Sequence, residues 1–294
     1  MSISGPPQGG PAGPAADPVP RTCYRHKDRT TYVSCVRCDR PICAECMRPA
    51  SVGFQCPDDV AAGAKEQRPL RNQFGATRVF SRAYVTFTML AINVIVFILQ
   101  GFPISHSASN QFTNDYVSWN YYIAHNHEYY RLLTGAFLHV AIWHIGLNML
   151  VLLLVGPALE KMLGPVRFTA LYLLAGIGGN VLAYLVTDYR TANLGASGAI
   201  YGLFAAYWVM ARRVGADTSA ITGTIVLNLV LSVAIPGISL WGHVGGLFVG
   251  AAIGAIFAYS GAKRWNLQLA GVLGVAVILV VATIIRTATI YIPF

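Results

Sequence analysis

The stretch GASGAIYG at residues 195–202 opens an apolar run that continues to residue 211, and it places Ser197 at the start of that run. Two other runs open in the same way, with HVAIWHIGLN at residues 139–148 and WGHVGGLFVG at residues 241–250. Each puts polar side chains at the beginning of a segment that is otherwise apolar. Because polar and ionisable groups are costly inside a membrane span, each of them needs a partner or a function.

The composition around these stretches is that of a membrane protein. Of the 294 residues, 55% are hydrophobic and only 11% are charged, whereas a soluble domain carries about 25% charged residues. We predict seven apolar spans, each near the ~20 residues that cross a bilayer. They occupy residues 83–101, 139–159, 166–187, 197–211, 219–236, 241–260 and 266–285. The predicted fold class is therefore an all-α polytopic membrane protein, with the lipid bilayer as its environment.

The positive charge of the chain indicates its orientation in the membrane. The formal net charge is +9, but Lys and Arg lie at the ends of apolar runs and form no single stripe, which argues against nucleic acid as a partner. The positive-inside rule predicts a cytoplasmic N-terminus. The inner ends would then carry Arg68, Arg71, Arg78, Arg82, Lys161, Arg167, Arg212, Arg213, Lys263 and Arg264, and the outer side Arg131, Arg190 and Arg286.

The first third of the chain has a different composition. Residues 1–20 are rich in Pro, Gly and Ala and lack the regions of a signal peptide, so a disordered tail is predicted there. Residues 21–60 hold all six cysteines but too few large apolar residues to bury a core. Residues 61–81 are predicted to be a basic linker that enters the membrane.

The cysteine spacing predicts two zinc sites in residues 21–60. Four ligand pairs follow one another, each with two residues between its members, and an alternating assignment of the pairs gives two tetrahedral sets. The first set is Cys23, His26, Cys43 and Cys46, and the second is Cys35, Cys38, Cys56 and Asp59. Asp59 stays open as a ligand, because carboxylates are uncommon in structural zinc sites. The stretch resembles a B-box-like zinc finger, from which its last pair departs.

Five polar side chains are predicted to converge at one depth of the helix bundle. On the second span, His144 and Asn148 are four residues apart and share a face, with His139 just over one turn earlier. These three lie toward the outer end of their span. The predicted topology also places Ser197 and His243 toward the outer ends of the fourth and sixth spans.

Ser197 and His243 are the predicted nucleophile and general base. A serine hydroxyl becomes a nucleophile when a base within hydrogen-bond reach takes its proton, so the two helices have to approach closely. No acidic residue is placed to orient His243, so we predict a dyad. Small residues at four-residue spacing allow the close approach: Gly198, Gly202 and Ala206 beside the serine, and Gly246, Gly250 and Gly254 after the histidine.

Other groups near the predicted dyad are expected to support the reaction. Asn148, His144 and the backbone N–H of Ser197 are candidate donors to the oxyanion of a tetrahedral intermediate. The start of the helix at Ser197 adds unpaired N–H groups and a positive dipole end. Tyr201, one turn after Ser197, is placed to pack against the imidazole of His243.

HVAIWHIGLN, GASGAIYG and GHVGGLFVG, in this order on spans two, four and six, resemble the motifs of the rhomboid intramembrane serine proteases. The resemblance covers residues 82–262 and implies a six-span catalytic core, followed by a seventh helix in residues 263–294. It implies that Ser197, between Gly195 and Gly198, is the nucleophile and that His243 is the base. It also implies oxyanion groups at His144 and Asn148, a Tyr201 ring under the catalytic histidine, a loop motif at Tyr130 and Arg131, and a Gly156–Glu160 pair.

The resemblance implies cleavage of transmembrane protein substrates, in or near a membrane span and after a small residue. It also favours a bacterial plasma-membrane location, and it leaves open whether a cytosolic protein binds the zinc module. Two other functions compete. An inactive rhomboid relative that binds membrane clients would typically lack the serine or the histidine. A transporter would be expected to show an internal repeat and polar residues continuing to the cytoplasmic end, and neither is seen.

Overall fold

The computed structural model describes residues 19–66, 72, 74, 76, 83–103, 110–261 and 263–290. The chain divides into two compact units, residues 1–68 and 69–294. Most of the predicted tail and much of the predicted linker lie outside the described residues. The described start of that linker is helical, however, because residues 61–66, AAGAKE, are mostly strong helix formers and continue a helix that begins at Pro57.

The first unit is a small cysteine-centred module. Its buried core consists of Ile42 and five cysteines, Cys23, Cys35, Cys43, Cys46 and Cys56, in agreement with the predicted lack of an ordinary apolar core. Two antiparallel hairpins frame it. The elements are β1 (Arg21–Thr22), β2 (Thr30–Thr31), a 3-10 turn (Ala44–Cys46), β3 (Arg48–Pro49), β4 (Phe54–Gln55) and α1 (Pro57–Glu66).

The second unit is a helical bundle. Its seven longer helices are α2 (Tyr84–Leu99), α6 (Ile142–Leu163), α7 (Pro165–Val186), α8 (Ser197–Arg213), α9 (Ser219–Ala234), α10 (Leu240–Tyr259) and α11 (Trp265–Thr289). Between α2 and α6 lie α3 (Gln111–Tyr116), β5 (Ser118–Trp119), α4 (Asn120–His125), α5 (Arg131–Thr134) and a 3-10 turn (Gly135–Phe137). β6 (Ala192–Asn193), which lies between α7 and α8, pairs antiparallel with β5.

The seven predicted apolar spans correspond to these seven longer helices. Among the described residues, α6, α7, α10 and α11 are long and apolar enough to cross a membrane, and α2 and α9 are shorter apolar helices. α8 has 17 residues against 22 in α6, which shortens it by about 8 Å of helix. Most of its side chains face other helices, so the helix can carry Gly, Ala, Ser and Tyr without presenting them to lipid.

The centre of the bundle is formed by α7, α8 and α10, which pack most closely against one another. The predicted small-residue contacts are confirmed in register. A Cβ atom added at Gly246 would collide with the backbone of Gly198, and one at Gly250 would collide with the backbone of Gly202. One turn further, a Cβ at Gly254 would come within 2.7 Å of Ala206 Cα. The backbones of α8 and α10 are therefore nearly in contact.

Glu160 ties α6 to the beginning of α2. Its carboxylate accepts hydrogen bonds from the backbone N–H groups of Val85 and Thr86, at 2.9 and 2.7 Å, and from the hydroxyl of Thr86. These N–H groups belong to the first turn of a helix, where they have no partner within the helix and where a negative charge is favoured. Gly156 leaves room for Thr86, since a Cβ there would lie 2.6 Å from Thr86 Cγ2.

Candidate functional site

The hydroxyl of Ser197 and the imidazole of His243 are in hydrogen-bond contact, with 2.9 Å between Ser197 Oγ and His243 Nε2. Ser197 is the first residue of α8, and His243 is in the first turn of α10. The side chain of Ser239 caps α10 by accepting from the N–H of Gly242, which fixes where that helix begins. His243 is buried, whereas Ser197 is partly exposed.

The turn before Ser197 requires glycine at residue 195. Gly195 has φ +126°, and a Cβ on it would lie 2.8 Å from His144 Cε1. Only glycine adopts this backbone conformation readily, and only glycine leaves room for the imidazole. The N–H of Gly195 donates to the carbonyl of Gly135 at 2.9 Å, and Asn193 donates to Asn180 of α7. The loop that presents Ser197 is thus attached at two points.

The imidazole of His243 is constrained on one face and at both nitrogens. The ring of Tyr201 stacks on it, with 4.1 Å between centroids and 13° between planes. Nδ1, on the side away from Ser197, lies 2.7 Å from the hydroxyl oxygen of Ser232. The structure thus brings together Ser197, Tyr201, Ser232 and His243 from three helices.

Ser232 is the residue of this site that sequence reasoning missed. The sequence predicts a dyad because it places no carboxylate to orient His243, and it does not point to a neutral hydroxyl partner. Ser232 stands in an apolar run, and its polarity alone is a weak signal. A stronger signal is that α9 buries only this one residue, but burial is known only after the helices are packed.

His144 and Asn148 lie on one face of α6, four residues apart, as expected. Asn148 is buried, and its Nδ2 has no hydrogen-bond partner among the residues that the structure describes. His144 is partly exposed and borders the turn at Gly195, with its Nε2 3.0 Å from where a Cβ would stand. A buried amide without a partner is costly unless another molecule receives its hydrogen bond.

The predicted helical position of His139 is wrong. α6 begins at Ile142, and its N-cap Ala141 is extended. The backbone of His139 is instead held by the side chain of Gln100, which accepts from its N–H at 2.9 Å and donates to its carbonyl at 3.2 Å. These bonds replace those that a helix would have made. The ring still lies 5.0 Å from that of His144, between centroids.

His139 borders a cavity of about 170 Å³ that is also lined by Gln100, Thr113 and Trp119. Both ring nitrogens of His139 and Nε1 of Trp119 are buried without a hydrogen-bond partner among the described residues. Such a cavity is large and polar enough to hold water, which would satisfy these groups. His139 therefore borders the site. Among the described residues, no hydrogen bond joins it to Ser197 or His243.

Arg131, in the loop before α6, organises that loop from inside. Its side chain is buried, pairs with Glu128, and donates to the carbonyls of Asn114 and Val117 at 2.6 and 3.2 Å. The hydrogen bond from Asn126, together with those from Arg131 and Tyr130, keeps the pKa of Glu128 below its usual value in spite of burial. The Tyr130–Arg131 motif thus serves to hold the loop in place.

In the first unit, the structure assembles the two ligand groups that the spacing predicts. Cys23, His26, Cys43 and Cys46 form one group, and Cys35, Cys38, Cys56 and Asp59 form the other, with the ligand atoms of each within 4.8 Å of one another. All six cysteines are free of disulfides. Either group could hold a metal ion.

The atom separations fit a tetrahedral zinc ion. With Zn–S bonds of about 2.3 Å, two sulfurs of a tetrahedral site stand about 3.8 Å apart. Cys23 Sγ and Cys46 Sγ are 3.9 Å apart, and Cys38 Sγ and Cys56 Sγ are 3.8 Å apart. Asp59 Oδ2 lies 3.0 Å from Cys35 Sγ, so its carboxylate reaches the second group.

The thiols of the two groups differ in acidity, because backbone hydrogen bonds lower the pKa of Cys23 to about 6 in spite of burial. Burial raises the pKa of the Cys46 and Cys56 thiols to about 11, so each keeps its proton at neutral pH unless a metal replaces it. Hydrogen bonds from Cys38, Cys35 and Cys56 lower the pKa of Asp59 to about 2. Arg40 donates to the sulfurs of Cys38 and Cys56, at 3.1 and 3.3 Å, and so offsets part of the negative charge that the second group would carry with zinc.

Fold and site together define a multi-pass helical membrane protein with a serine–histidine pair at one end of its bundle. Residues 126–260 match the Rhomboid domain family. YdcA of Bacillus subtilis (strain 168), a provisionally named rhomboid protease, is 31% identical over 195 residues, which cover 64% of this chain and 96% of YdcA. The chain belongs to the rhomboid family.

In two other relatives, the region similar to this chain is only part of a longer protein. The rhomboid protease GluP of Bacillus subtilis (strain 168) is 36% identical over 204 residues, 63% of this chain and 38% of GluP. RHOMBOID-like protein 1 of Arabidopsis thaliana is 32% identical over 142 residues, 46% of this chain and 36% of that protein. The chain thus spans less than half the length of these two relatives.

Proposed function

We propose that the protein is an intramembrane serine endopeptidase that cleaves transmembrane segments of other membrane proteins. The observation that carries this proposal is the 2.9 Å contact between Ser197 Oγ and His243 Nε2 at the start of two closely packed helices. A serine hydroxyl within hydrogen-bond reach of a buried imidazole is the arrangement that nucleophilic catalysis requires. The names of the relatives GluP and YdcA support the same reaction.

In the proposed mechanism, His243 Nε2 removes the proton from Ser197 as Oγ attacks the scissile carbonyl. The resulting oxyanion would be stabilised by the backbone N–H of Ser197, the amide of Asn148 and the ring of His144. His243 then gives the proton to the leaving amine, and a water molecule repeats the sequence on the acyl-enzyme. The unpartnered Nδ2 of Asn148 supports this role, since its hydrogen bond is available to the oxyanion.

We further infer the substrate and the orientation. A single-span protein would reach Ser197 from the lipid and would have to unwind locally, because the carbonyls of a helix are already hydrogen-bonded. Cleavage is expected after a small residue. The N-terminus is assigned to the cytoplasm, with basic residues at the inner helix ends, and the plasma membrane of a bacterium is the proposed location.

For the first unit, we propose two structural zinc ions. Cysteine-rich modules of this size lack an apolar core, and bound zinc then contributes directly to the free energy of folding. The ligand separations given above favour this proposal. With its thiols kept reduced in the cytosol, the module would stay competent for metal, and it is available there to a cytosolic protein partner.

The competing function is that of an inactive rhomboid relative that binds clients. Purified protein reconstituted in liposomes with a fluorescent single-span substrate separates the two. We expect cleavage by the wild type and none by Ser197→Ala or His243→Ala, with all three proteins folded as judged by thermal unfolding. Equal cleavage by wild type and Ser197→Ala would contradict the protease proposal. Substrate binding without cleavage by any of them would favour the client-binding function.

A further inference from the structure

Ser232 interacts with the hydroxyl of Tyr201 and makes two short hydrogen bonds, whose directions follow from its single proton. Its Oγ lies 2.7 Å from the carbonyl oxygen of Asn228, one turn earlier on α9, and 2.7 Å from Nδ1 of His243. A carbonyl oxygen can only accept, so the hydroxyl proton of Ser232 goes to Asn228. The bond to His243 must then be donated by an Nδ1–H group.

This direction determines the tautomer of the neutral imidazole. With the proton on Nδ1, the lone pair is on Nε2, which is the nitrogen that faces Ser197. The opposite tautomer would place a proton on Nε2, and Ser232 could then donate to Nδ1 only by giving up its bond to Asn228, which would leave two oxygens 2.7 Å apart with no proton between them. The chain of bonds therefore runs from His243 Nδ1–H to Ser232 Oγ–H to the Asn228 carbonyl.

We propose that Ser232 is a positioning residue of the reaction, which keeps His243 in the tautomer that can accept the proton of Ser197. The inference rests on the proposed protease function. The hydroxyl takes the place that a carboxylate has in a serine–histidine–aspartate triad, but it carries no charge, so it orients the base without an ion pair inside the bundle.

The placement of Ser232 in α9 supports this role over one in packing. α9 buries a single residue, Ser232, and most of its other side chains face outward or are only partly covered. The one fully buried side chain of this helix is thus the one that bonds the base. Ser232 still bonds its own helix through the Asn228 carbonyl, as other hydroxyl residues of α9 do, so the bond to His243 is the feature that distinguishes it.

The test compares Ser232→Thr with Ser232→Val in the full chain, reconstituted in liposomes with the single-span substrate. Thr and Val have nearly the same shape, so packing effects cancel and only the hydroxyl differs. We expect kcat of the Val variant to fall about tenfold below that of the Thr variant, with KM within about twofold, because one neutral hydrogen bond to the base is lost. Thr224→Ala is the control, since it removes a hydroxyl from α9 that bonds only the carbonyl of Ala220.

A second measurement does not depend on activity. The ring ¹⁵N chemical shifts of His243 should show the Nδ1–H tautomer in the wild type and in Ser232→Thr, and a mixture of tautomers in Ser232→Val. Equal kcat and equal ring shifts in the Thr and Val variants would overturn the inference. Should the wild type cleave nothing, the protease proposal fails by itself, and the ring shifts still decide whether Ser232 sets the tautomer.

Discussion

The ring of Tyr201 lies parallel to the imidazole of His243, 4.1 Å away between centroids and tilted by only 13°. Tyr201 is one turn after Ser197 on α8, so a single helix carries both the proposed nucleophile and the ring that stacks on the proposed base. The other two constraints on the imidazole are its bonds to Ser197 and to Ser232. Three helices therefore determine the position of one side chain.

Replacing the stacked ring is expected to slow the reaction. Tyr201→Phe keeps an aromatic face against His243 and should retain kcat within about threefold. Tyr201→Leu loses the stacking contact, worth about 0.5–1.5 kcal/mol, and should lower kcat by up to about tenfold. Steady-state cleavage of the reconstituted substrate measures both. If the Leu variant cleaves as fast as the Phe variant, the stack does not position the base.

Removing the amide of Asn148 is expected to reduce catalysis without destabilising the fold. Its Nδ2 has no hydrogen-bond partner among the described residues, so Asn148→Ala breaks no hydrogen bond at that atom. Loss of one oxyanion donor typically lowers kcat by about 10²–10³. We expect kcat of Asn148→Ala to fall by this factor, while its thermal unfolding midpoint stays within a few degrees of that of the wild type. A large drop in the midpoint with unchanged kcat would instead assign Asn148 a structural role.

The close approach of α8 and α10 is testable with alanine at two glycines. At Gly246 an added Cβ would meet the backbone of Gly198, so Gly246→Ala has to push the helices apart. We expect a loss of about 1–3 kcal/mol in the free energy of unfolding, together with a loss of activity as Ser197 and His243 separate. Gly274→Ala in α11 is the matched control, because nothing lies within 4 Å of a Cβ there.

For that control we expect unchanged activity and a stability gain of up to about 1 kcal/mol, since alanine is the better helix former. Both variants are compared by thermal unfolding in the same detergent and by cleavage rate. Equal stability of the two proteins would mean that α8 and α10 are farther apart than the structure shows.

Glu160 is expected to act on stability alone. Glu160→Gln removes the charge that accepts from two backbone N–H groups of α2 and should cost about 1.5–3 kcal/mol in the free energy of unfolding. Lys161→Gln, at the neighbouring exposed residue, is the control and should change the free energy of unfolding little. Cleavage per folded molecule should stay the same, because Glu160 is four turns beyond His144 on α6. A fall in kcat at unchanged stability would show a chemical role for Glu160.

Metal content tests the first unit. We expect two zinc ions per full-length chain by atomic emission, and one after Cys43→Ser or Cys35→Ser, since each removes a ligand from a different group. Asp59→Ala should weaken only the second site. Ser34→Ala, next to a ligand but outside both groups, is the control. Two zinc ions in both cysteine variants would disprove the ligand assignment.

Zinc retention should also depend on pH in a defined direction. Burial raises the pKa of the Cys46 and Cys56 thiols to about 11, so zinc has to displace protons in order to bind. Affinity therefore falls as the pH falls, because protons then compete more strongly for the sulfurs. Zinc release into a colorimetric chelator, followed between pH 8 and pH 5, measures this. Release that is independent of pH would mean that thiolates are not the ligands.

Local patterns were sufficient to predict most of the fold. The predicted span at residues 219–236 corresponds to α9 (Ser219–Ala234), and the one at residues 241–260 corresponds to α10 (Leu240–Tyr259). Hydropathy determines such boundaries because each residue of a span meets lipid or a neighbouring helix. The four-residue spacing of glycines likewise predicted the contact between α8 and α10, since only small residues let two backbones approach.

Two features of the site depended on how helices and loops pack. His139 leaves the helix because Gln100, far away in sequence, holds its backbone. Ser232 reaches His243 because of the rotation of α9 about its own axis, which an almost uniformly apolar helix does not reveal in its sequence. Both are contacts between residues that local periodicity cannot relate.

The class of fold, the places of the helices, the paired candidate metal ligands and the two side chains proposed to react were predictable from the sequence, because hydropathy, spacing and residue chemistry are local properties. The contact between the Ser232 hydroxyl of α9 and Nδ1 of His243, and with it the proposed control of the tautomer, came from the packing of the helices. A hydrogen bond between side chains on separate helices depends on distances of a few tenths of an ångström, and these are set by the packing of the whole bundle.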